Sequence, residues 1–173
     1  MKKILLTLVL AGFVVAAQAQ KVDYDKKLKD LGIELMAPTK PMANYVKAVR
    51  TGNLLFLAGH GPTKADGSNI TGKVGRDLTL EQGYDAAKQT AISLLSTLKG
   101  ELGDLNKVKR VVKVLGMVNC ESDFVDQPKV INGCSDLLVA VFGEKGKHAR
   151  SAVGMNSLPS NIAVEIEIIV EVE

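Results

Sequence analysis

Apolar residues recur at steps of three and four along residues 79–99, and this periodicity predicts an amphipathic helix. Thr79 and Gln82 have the spacing of a capping box at its start, and Gly100 is suited to end it. The stripe that we expect to be buried consists of Tyr84, Ala87, Ala91, Leu94, Leu95 and Leu98.

A second helix of the same kind is predicted from Pro128, a residue suited to the first helical turn, to the helix-ending Gly143. Residues 21–32, a separate lysine-rich segment near the N-terminus, carry Leu28 and Leu31 on one side. This pattern indicates either a short amphipathic helix or a loosely attached arm. The buried positions expected in the second helix are Val130, Cys134, Leu137, Leu138 and Val141.

The remaining hydrophobic runs are short and are typical of β-strands. Residues 51–53, Thr-Gly-Asn, separate the first two runs as a hairpin turn would, and the turn-forming residues in 66–75 indicate a further hairpin. The predicted strands are 45–50, 54–58, 108–119, 149–157 and 163–172.

This order of elements predicts one α/β (α+β) domain with a mixed sheet and both long helices on the same face. Residues 54–57 and 111–118 are nevertheless apolar on both sides, as strands are when both of their faces are covered. No third helix of sufficient length is predicted. Self-association of the chain is therefore the simplest way to cover the second face.

Composition and charge narrow the class of protein. With 46% hydrophobic and 24% charged residues and only two cysteines, the chain is neither disordered nor disulfide-rich. The net charge of +3 falls to +1 without Lys2 and Lys3, and the basic residues within 107–113 alternate with valines as in a solvated strand. We therefore predict no nucleic-acid partner, and no ligand spacing indicates a metal.

Residues 1–19 are predicted to be a cleavable signal peptide. Lys2 and Lys3 precede the apolar run 4–17, and Ala17-Gln18-Ala19 has the pattern of a cleavage site. As a helix this run would reach about 21 Å, which is shorter than the roughly 30 Å hydrocarbon layer of a membrane. We expect a periplasmic or secreted protein that has no membrane association after cleavage.

Two charged residues near the C-terminus are candidates for chemistry. In the last strand Glu165 alternates with buried apolar residues, so it is expected on the face assigned to partner subunits, where a carboxylate needs a cation or water. Arg150 stands where a loop meets a strand. Its guanidinium could grip a carboxylate bidentately, although the position alone is explained more simply by a surface salt bridge.

Several short segments together form a known pattern: Tyr45-Val46, Gly52-Asn53-Leu54, Leu57-Ala58-Gly59, Asn132, Ala149-Arg150-Ser151-Ala152-Val153, Leu158-Pro159 and Val164-Glu165-Ile166-Glu167. In them the chain resembles the RidA (reactive intermediate deaminase; YjgF or L-PSP endoribonuclease-like) family. The resemblance implies a chorismate-mutase-like fold and a homotrimer whose three sheets enclose a barrel, with pockets between subunits. The domains would be the signal peptide 1–19, an N-terminal extension 20–44 and one RidA-like domain 45–173.

The resemblance also implies an activity and roles for residues. The family hydrolyses 2-enamine and 2-imine acids to 2-keto acids and ammonia without a cofactor or metal. Arg150 would grip the carboxylate of a small ligand and Glu165 would orient a water. The substrate-binding residues implied are Tyr45, Gly59, Asn132 and Ala152.

Three positions depart from the family and alter the pocket wall. Ala58 replaces a frequent hydroxyl residue, Ala152 a common cysteine and His60 a common glutamine, so the substrate need not be the usual one. His60 and His148, the only histidines, are either a hydrolytic pair near the pocket or two imidazoles that never meet, and the second interpretation is simpler. Cys120 and Cys134 are either two buried thiols or a disulfide.

Three functions remain open at this point. The first is a RidA-like imine and enamine deaminase that acts outside the cytoplasm. The second is a trimeric protein that binds small carboxylates without turnover, which the altered pocket wall and the location both permit. The third and weakest is an endoribonuclease, because the chain has neither a basic face nor a convincing acid–base pair.

Overall fold

A computed structural model describes residues 21–37 and 44–173, and the predicted signal peptide lies outside the described residues. Five strands form one mixed sheet in the order β1-β2-β5-β3-β4, in which β3 and β4 are parallel and the other neighbours antiparallel. The predicted fold class is confirmed. The strands are β1 (Ala48–Thr51), β2 (Leu54–His60), β3 (Val108–Asn119), β4 (Ala149–Met155) and β5 (Val164–Val172).

In the described ranges three α-helices accompany the sheet: α1 (Tyr24–Asp30), α2 (Leu80–Leu102) and α3 (Gln127–Phe142). The capping box at the start of α2 is formed, since the Gln82 backbone N–H donates to Thr79 Oγ1 and the Thr79 backbone N–H donates to Gln82 Oε1. All predicted stripe residues of α2 and α3 are buried except Tyr84, which is half-buried and donates to Asp136.

The prediction that Gly100 ends α2 is wrong. The helix continues to Leu102, which is buried, and ends before Gly103, whose φ of +71° is a conformation that glycine adopts without strain. Burial of one more leucine outweighs the modest cost of a glycine inside the helix.

Both long helices pack on one face of the sheet, which we call the helix face. His60, Ile166 and Gly116 are cross-strand partners on β2, β5 and β3, so their side chains or Cα hydrogens point to the same side. The His60 ring contacts Thr97 of α2, and a Cβ on Gly116 would overlap Ile131 of α3. This arrangement is the one that the order of elements predicted.

The opposite face of the sheet, the open face, is partly apolar. Phe56 and Val153 are 40% and 41% exposed there, and Leu115 and Met117 are half-buried. Glu165 lies on the same face, because it is the cross-strand partner of Met117. Among the described residues no helix packs on this face, so its apolar side chains are available to a second copy of the chain.

Residues 66–75 do not form the predicted hairpin. The segment holds a tight turn closed by one antiparallel bridge between Thr63 and Asn69, without a strand on either side. Gly72 and Gly75 have φ values of +120° and +94°, which interrupt the extended conformation that a ladder requires. Turn-forming residues alone therefore do not indicate that two paired strands flank the turn.

Of the two interpretations of residues 21–32, the short helix is the one found. The apolar side of α1 packs onto the main core through Tyr24 and Leu28, and the Tyr24 ring lies 5.4 Å from that of Phe142. Leu31, which the sequence placed on the same side, is 42% exposed, and Ile33 is buried in its stead.

Candidate functional site

Four residues at one edge of the sheet form what we call the arginine half-site: Arg150, Asn132, Ser135 and His148. Arg150 is the cross-strand partner of Val114 on the helix face, so its side chain points toward α3. Asn132 and Ser135 are three residues apart on α3 and share the helical face that meets β4. Both accept hydrogen bonds from Arg150 Nη1, at 2.9 Å to Asn132 Oδ1 and 3.0 Å to Ser135 Oγ.

The guanidinium of Arg150 is half-buried, and within the described part of the chain no carboxylate forms an ion pair with it. Its Nε and Nη2 donors have no protein acceptor there. The surface salt bridge that would explain the residue most simply is therefore not found among these residues. A half-buried cation with one free donor edge is suited to hold an anionic ligand.

A second group, the glutamate half-site, consists of Glu165, Gly59, Ala58 and Tyr45. A Cβ on Gly59 would overlap Glu165 Oε1 and lie 2.9 Å from its Cδ, so the absence of a side chain makes room for the carboxylate. The Ala58 N–H donates to the Lys47 carbonyl at 3.0 Å, which brings the segment that contains the exposed Tyr45 beside Ala58. The sequence predicted a strand from Tyr45 onward, but β1 begins only at Ala48, so Tyr45 precedes it.

The surroundings of the Glu165 carboxyl group favour its protonated form. Partial burial raises its pKa, and the neighbouring charge of Glu167 raises it further. A raised pKa makes the carboxylate a stronger base than an ordinary surface glutamate.

The two half-sites do not meet within one chain. Arg150 points to the helix face from β4, whereas Glu165 lies on the open face of β5, and β3 separates the two strands. Ala152 shares the side of Arg150 and packs partly against the core. A site that uses both Arg150 and Glu165 consequently needs a second copy of the chain.

The two histidines occupy separate environments. His60 lies on β2 and contacts α2, while His148 precedes β4 at the far edge of the sheet and contacts Ser135 of α3. Burial lowers the pKa of His60 to about 4, and burial together with the nearby Arg150 lowers the pKa of His148. Both shifts favour the neutral imidazole, and the two rings do not form a pair.

His60 links the Ala58 backbone of the glutamate half-site to α2 on the helix face. Its Nδ1 lies 2.6 Å from the Ala58 carbonyl, which can only accept, so Nδ1 carries the proton and Nε2 accepts from Thr97 Oγ1 at 2.8 Å. The pairing of β2 with β5 shifts register between Leu57 and His60. The imidazole thus fastens this irregular stretch of β2, which includes Gly59, to α2.

We predict that Thr97→Val lowers the free energy of unfolding by about 1–3 kcal/mol, because the buried His60 Nε2 loses the one donor that the described residues give it while the side-chain volume is kept. Urea denaturation at equal protein concentrations measures the change. The matched control is Ser93→Ala on the same helix. Within the described residues the Ser93 hydroxyl forms one hydrogen bond, to the Gln89 carbonyl at 3.4 Å. Equal losses in both variants would contradict the role given to Thr97.

Neither the two cysteines nor any metal-binding cluster among the described residues adds a further reactive site. Cys120 and Cys134 are free and buried, and burial raises the pKa of Cys134 to about 12, so its thiol is a poor nucleophile. Residues 21–37 and 44–173 contain no cluster of three or more side chains suited to hold a metal ion. Within these ranges no helix is both long and apolar enough to span a bilayer.

Comparison with known proteins decides the family. The sequence model of the family described as "YjgF/chorismate mutase-like, putative endoribonuclease" matches residues 25–172. The chain belongs to this family. Among its relatives, Protein TCP17 of Trypanosoma cruzi is 44% identical over 83% of this chain and 91% of its own. The RidA/YjgF resemblance seen in the sequence is thereby confirmed.

Two solved structures show how closely the RidA/YjgF fold is followed. The protein Atu1372 of Agrobacterium tumefaciens, of unknown function, is 45% identical and matches 87% of this chain and 93% of its own with a TM-score of 0.80. A protein of Shewanella oneidensis, described as a "putative endoribonuclease", is 27% identical and matches 86% of this chain and 99% of its own with a TM-score of 0.83.

Ser135 of the arginine half-site and Thr97, which bonds His60, were not predicted from the sequence. Ser135 could have been found, because it lies one helical turn after the predicted Asn132 and so shares its face. Thr97 gave no comparable signal, since its contact with His60 depends on how α2 crosses the sheet.

Proposed function

We propose that this RidA/YjgF-family protein hydrolyses 2-imino acids, with their 2-enamine tautomers, to 2-keto acids and ammonia. Family membership supports a general RidA-like role. The observation that carries the more specific proposal is the half-buried Arg150, whose Nε and Nη2 donors are unpaired within the described part of the chain. Two parallel N–H groups match the two oxygens of a planar carboxylate.

The proposed chemistry needs little beyond positioning. An imine carbon is already electrophilic, and it is bonded directly to the carboxylate that Arg150 would hold, so the reacting carbon is fixed in place. Water adds to this carbon and forms a C–O bond, while Glu165 takes a proton from the water and passes it to the nitrogen. The hydroxyl proton of this adduct is then transferred through Glu165 to the nitrogen, the C–N bond breaks as the keto group forms, and ammonia leaves.

We propose that the complete site forms between subunits of a homotrimer, where the arginine half-site of one copy meets the glutamate half-site of the next. The open face supports this assembly, because Phe56 and Val153 are exposed on the same face of the sheet as Glu165. The placement of Arg150 and Glu165 on opposite faces of one sheet supports it independently. The predicted signal peptide adds a location outside the cytoplasm to the proposal.

The direct test is ammonia release from an imino acid generated freshly by an amino-acid oxidase. We expect the mature protein to accelerate the release of ammonia and the appearance of the 2-keto acid in equal amounts. Binding of the 2-keto acid without any acceleration would instead support a carboxylate-binding protein and refute the deaminase.

We predict that Gly59→Ala lowers kcat/KM at least about tenfold while the free energy of unfolding changes little. The added methyl group overlaps Glu165 Oε1, and the flexible glutamate side chain can yield and carry its carboxylate away from the site. Steady-state kinetics and urea denaturation measure the two effects.

The matched control for this prediction is the same substitution in a Glu165→Gln background. If Gly59 acts by making room for the carboxylate, the methyl group should cost little once that carboxylate is gone. A full tenfold loss in both backgrounds would contradict this account of Gly59.

A further inference from the structure

Behind Arg150 lies a chain of hydrogen bonds that ends in a backbone carbonyl. His148 Nδ1 lies 2.6 Å from the Gly146 carbonyl, and His148 Nε2 lies 3.0 Å from Ser135 Oγ. Ser135 Oγ in turn lies 3.0 Å from Arg150 Nη1. The order Gly146, His148, Ser135, Arg150 thus links the loop before β4 to the guanidinium.

The direction of every bond in this chain is fixed by chemistry. The Gly146 carbonyl can only accept, so His148 Nδ1 carries the proton and Nε2 is left as an acceptor. Ser135 therefore donates its single proton to His148, and its oxygen remains available to accept from Arg150. Because the Ser135 proton is donated to His148 Nε2, Ser135 has no proton left to donate to a ligand.

This arrangement also determines which edge of Arg150 is free. Nη1 has two N–H groups, and both are used, one by Ser135 and the other by Asn132. The end-on edge between Nη1 and Nη2 is therefore engaged by the protein. The side-on edge, formed by Nε and Nη2, is the one that retains two parallel donors.

We propose that Ser135 and His148 are positioning residues that lock the Arg150 guanidinium so that its Nε–Nη2 edge faces the carboxylate of the ligand. The inference rests on the proposed function for the identity of the ligand, but the locking itself does not depend on it. Asn132 alone would leave one Nη1 donor free, and the guanidinium could turn to offer a different edge. His148 acts through Ser135, whose hydroxyl it orients.

The first test observes the guanidinium directly, without any ligand. The chain has four arginines, so arginine labelled with ¹³C and ¹⁵N gives few side-chain signals, and Arg150→Lys identifies those of Arg150. We expect separate Nη1 and Nη2 resonances in the full mature protein, because hydrogen bonds hinder rotation of the group. Rotation should be about fivefold faster or more in Ser135→Ala and faster by a smaller factor in His148→Ala.

Conservative and matched variants separate positioning from a general loss of packing. Ser135→Thr keeps the hydroxyl and His148→Gln keeps an acceptor near the position of Nε2, so both should retain slow rotation. Ser93→Ala should also retain slow rotation, because Ser93 is a buried serine on α2 whose hydroxyl, among the described residues, donates a hydrogen bond only to the Gln89 carbonyl. Unchanged rotation in Ser135→Ala, or already rapid rotation in the wild type, would overturn the proposal.

The second test uses turnover and binding. In Ser135→Ala we expect KM for the imino acid and Kd for pyruvate, a probe of the product class, to rise about fivefold, with kcat within about twofold. A fall in kcat at unchanged KM and Kd would overturn the proposal, since a carboxylate grip acts equally on bound substrate and transition state.

The two tests distinguish failure of this inference from failure of the proposed function. If the wild type releases no ammonia but the Nη resonances respond to Ser135→Ala as described, the deaminase is refuted and the locking of Arg150 stands. If ammonia release is normal and the resonances ignore Ser135→Ala, the positioning role is refuted and the deaminase stands.

Discussion

Replacing Arg150 by alanine is expected to lower kcat/KM for ammonia release at least about a hundredfold. Two charge-assisted hydrogen bonds to a carboxylate at a half-buried site contribute about 3 kcal/mol or more together, which corresponds to this factor. The fold should be unaffected, because in the described residues the Arg150 side chain bonds only the side chains of Asn132 and Ser135. Steady-state kinetics on freshly generated imino acid, with circular dichroism for the fold, measure the effect.

Two further variants make the Arg150 experiment specific. Arg150→Lys keeps the charge but loses the planar fork, so it should recover only a small part of the activity. Arg76→Ala removes an exposed arginine outside the sheet, which forms ion pairs with Asp77 and Glu121, and should leave activity unchanged. Wild-type acceleration in Arg150→Ala would refute the role given to Arg150. If neither the wild type nor Arg150→Ala accelerates ammonia release while the wild type binds the 2-keto acid, the non-catalytic carboxylate-binding protein is favoured.

Much of the fold was predictable because local signals agreed with tertiary packing. The bounds of β3, Val108–Asn119, match the prediction, since a long apolar run between a polar loop and a turn has few alternatives. The start of α2 was given by the Thr79 and Gln82 capping box. Where the signal was a single glycine, as at Gly100, tertiary burial of Leu102 overrode it.

The candidate site was predictable in its parts but not in its arrangement. Arg150, Asn132, Gly59 and Glu165 were named from short motifs, and the structure assigns the first two to one half-site and the last two to the other. Strand alternation placed Glu165 on the open face. Nothing in the sequence indicated that the Arg150 side chain points to the helix face, because its direction depends on the register between β4 and β3.

The central claim is that two copies of the chain complete one site, and mixing two inactive variants tests it most directly. Arg150→Ala lacks one half-site and Glu165→Gln the other, so each alone should lose most activity. In a 1:1 mixture that has been unfolded and refolded together, about a quarter of the interfaces would combine an intact Arg150 with an intact Glu165. Activity should recover to about a quarter of the wild-type value.

The control for the mixing experiment pairs Arg150→Ala with the Arg150→Ala, Glu165→Gln double variant, which can form no intact interface. Light scattering on the same samples reports whether trimers form, and differently tagged subunits report whether they exchange. Recovery in the first mixture and none in the control is the result that we predict. An exchanged trimer that stays as inactive as its separate variants, or a wild type that is active as a monomer, would contradict the account.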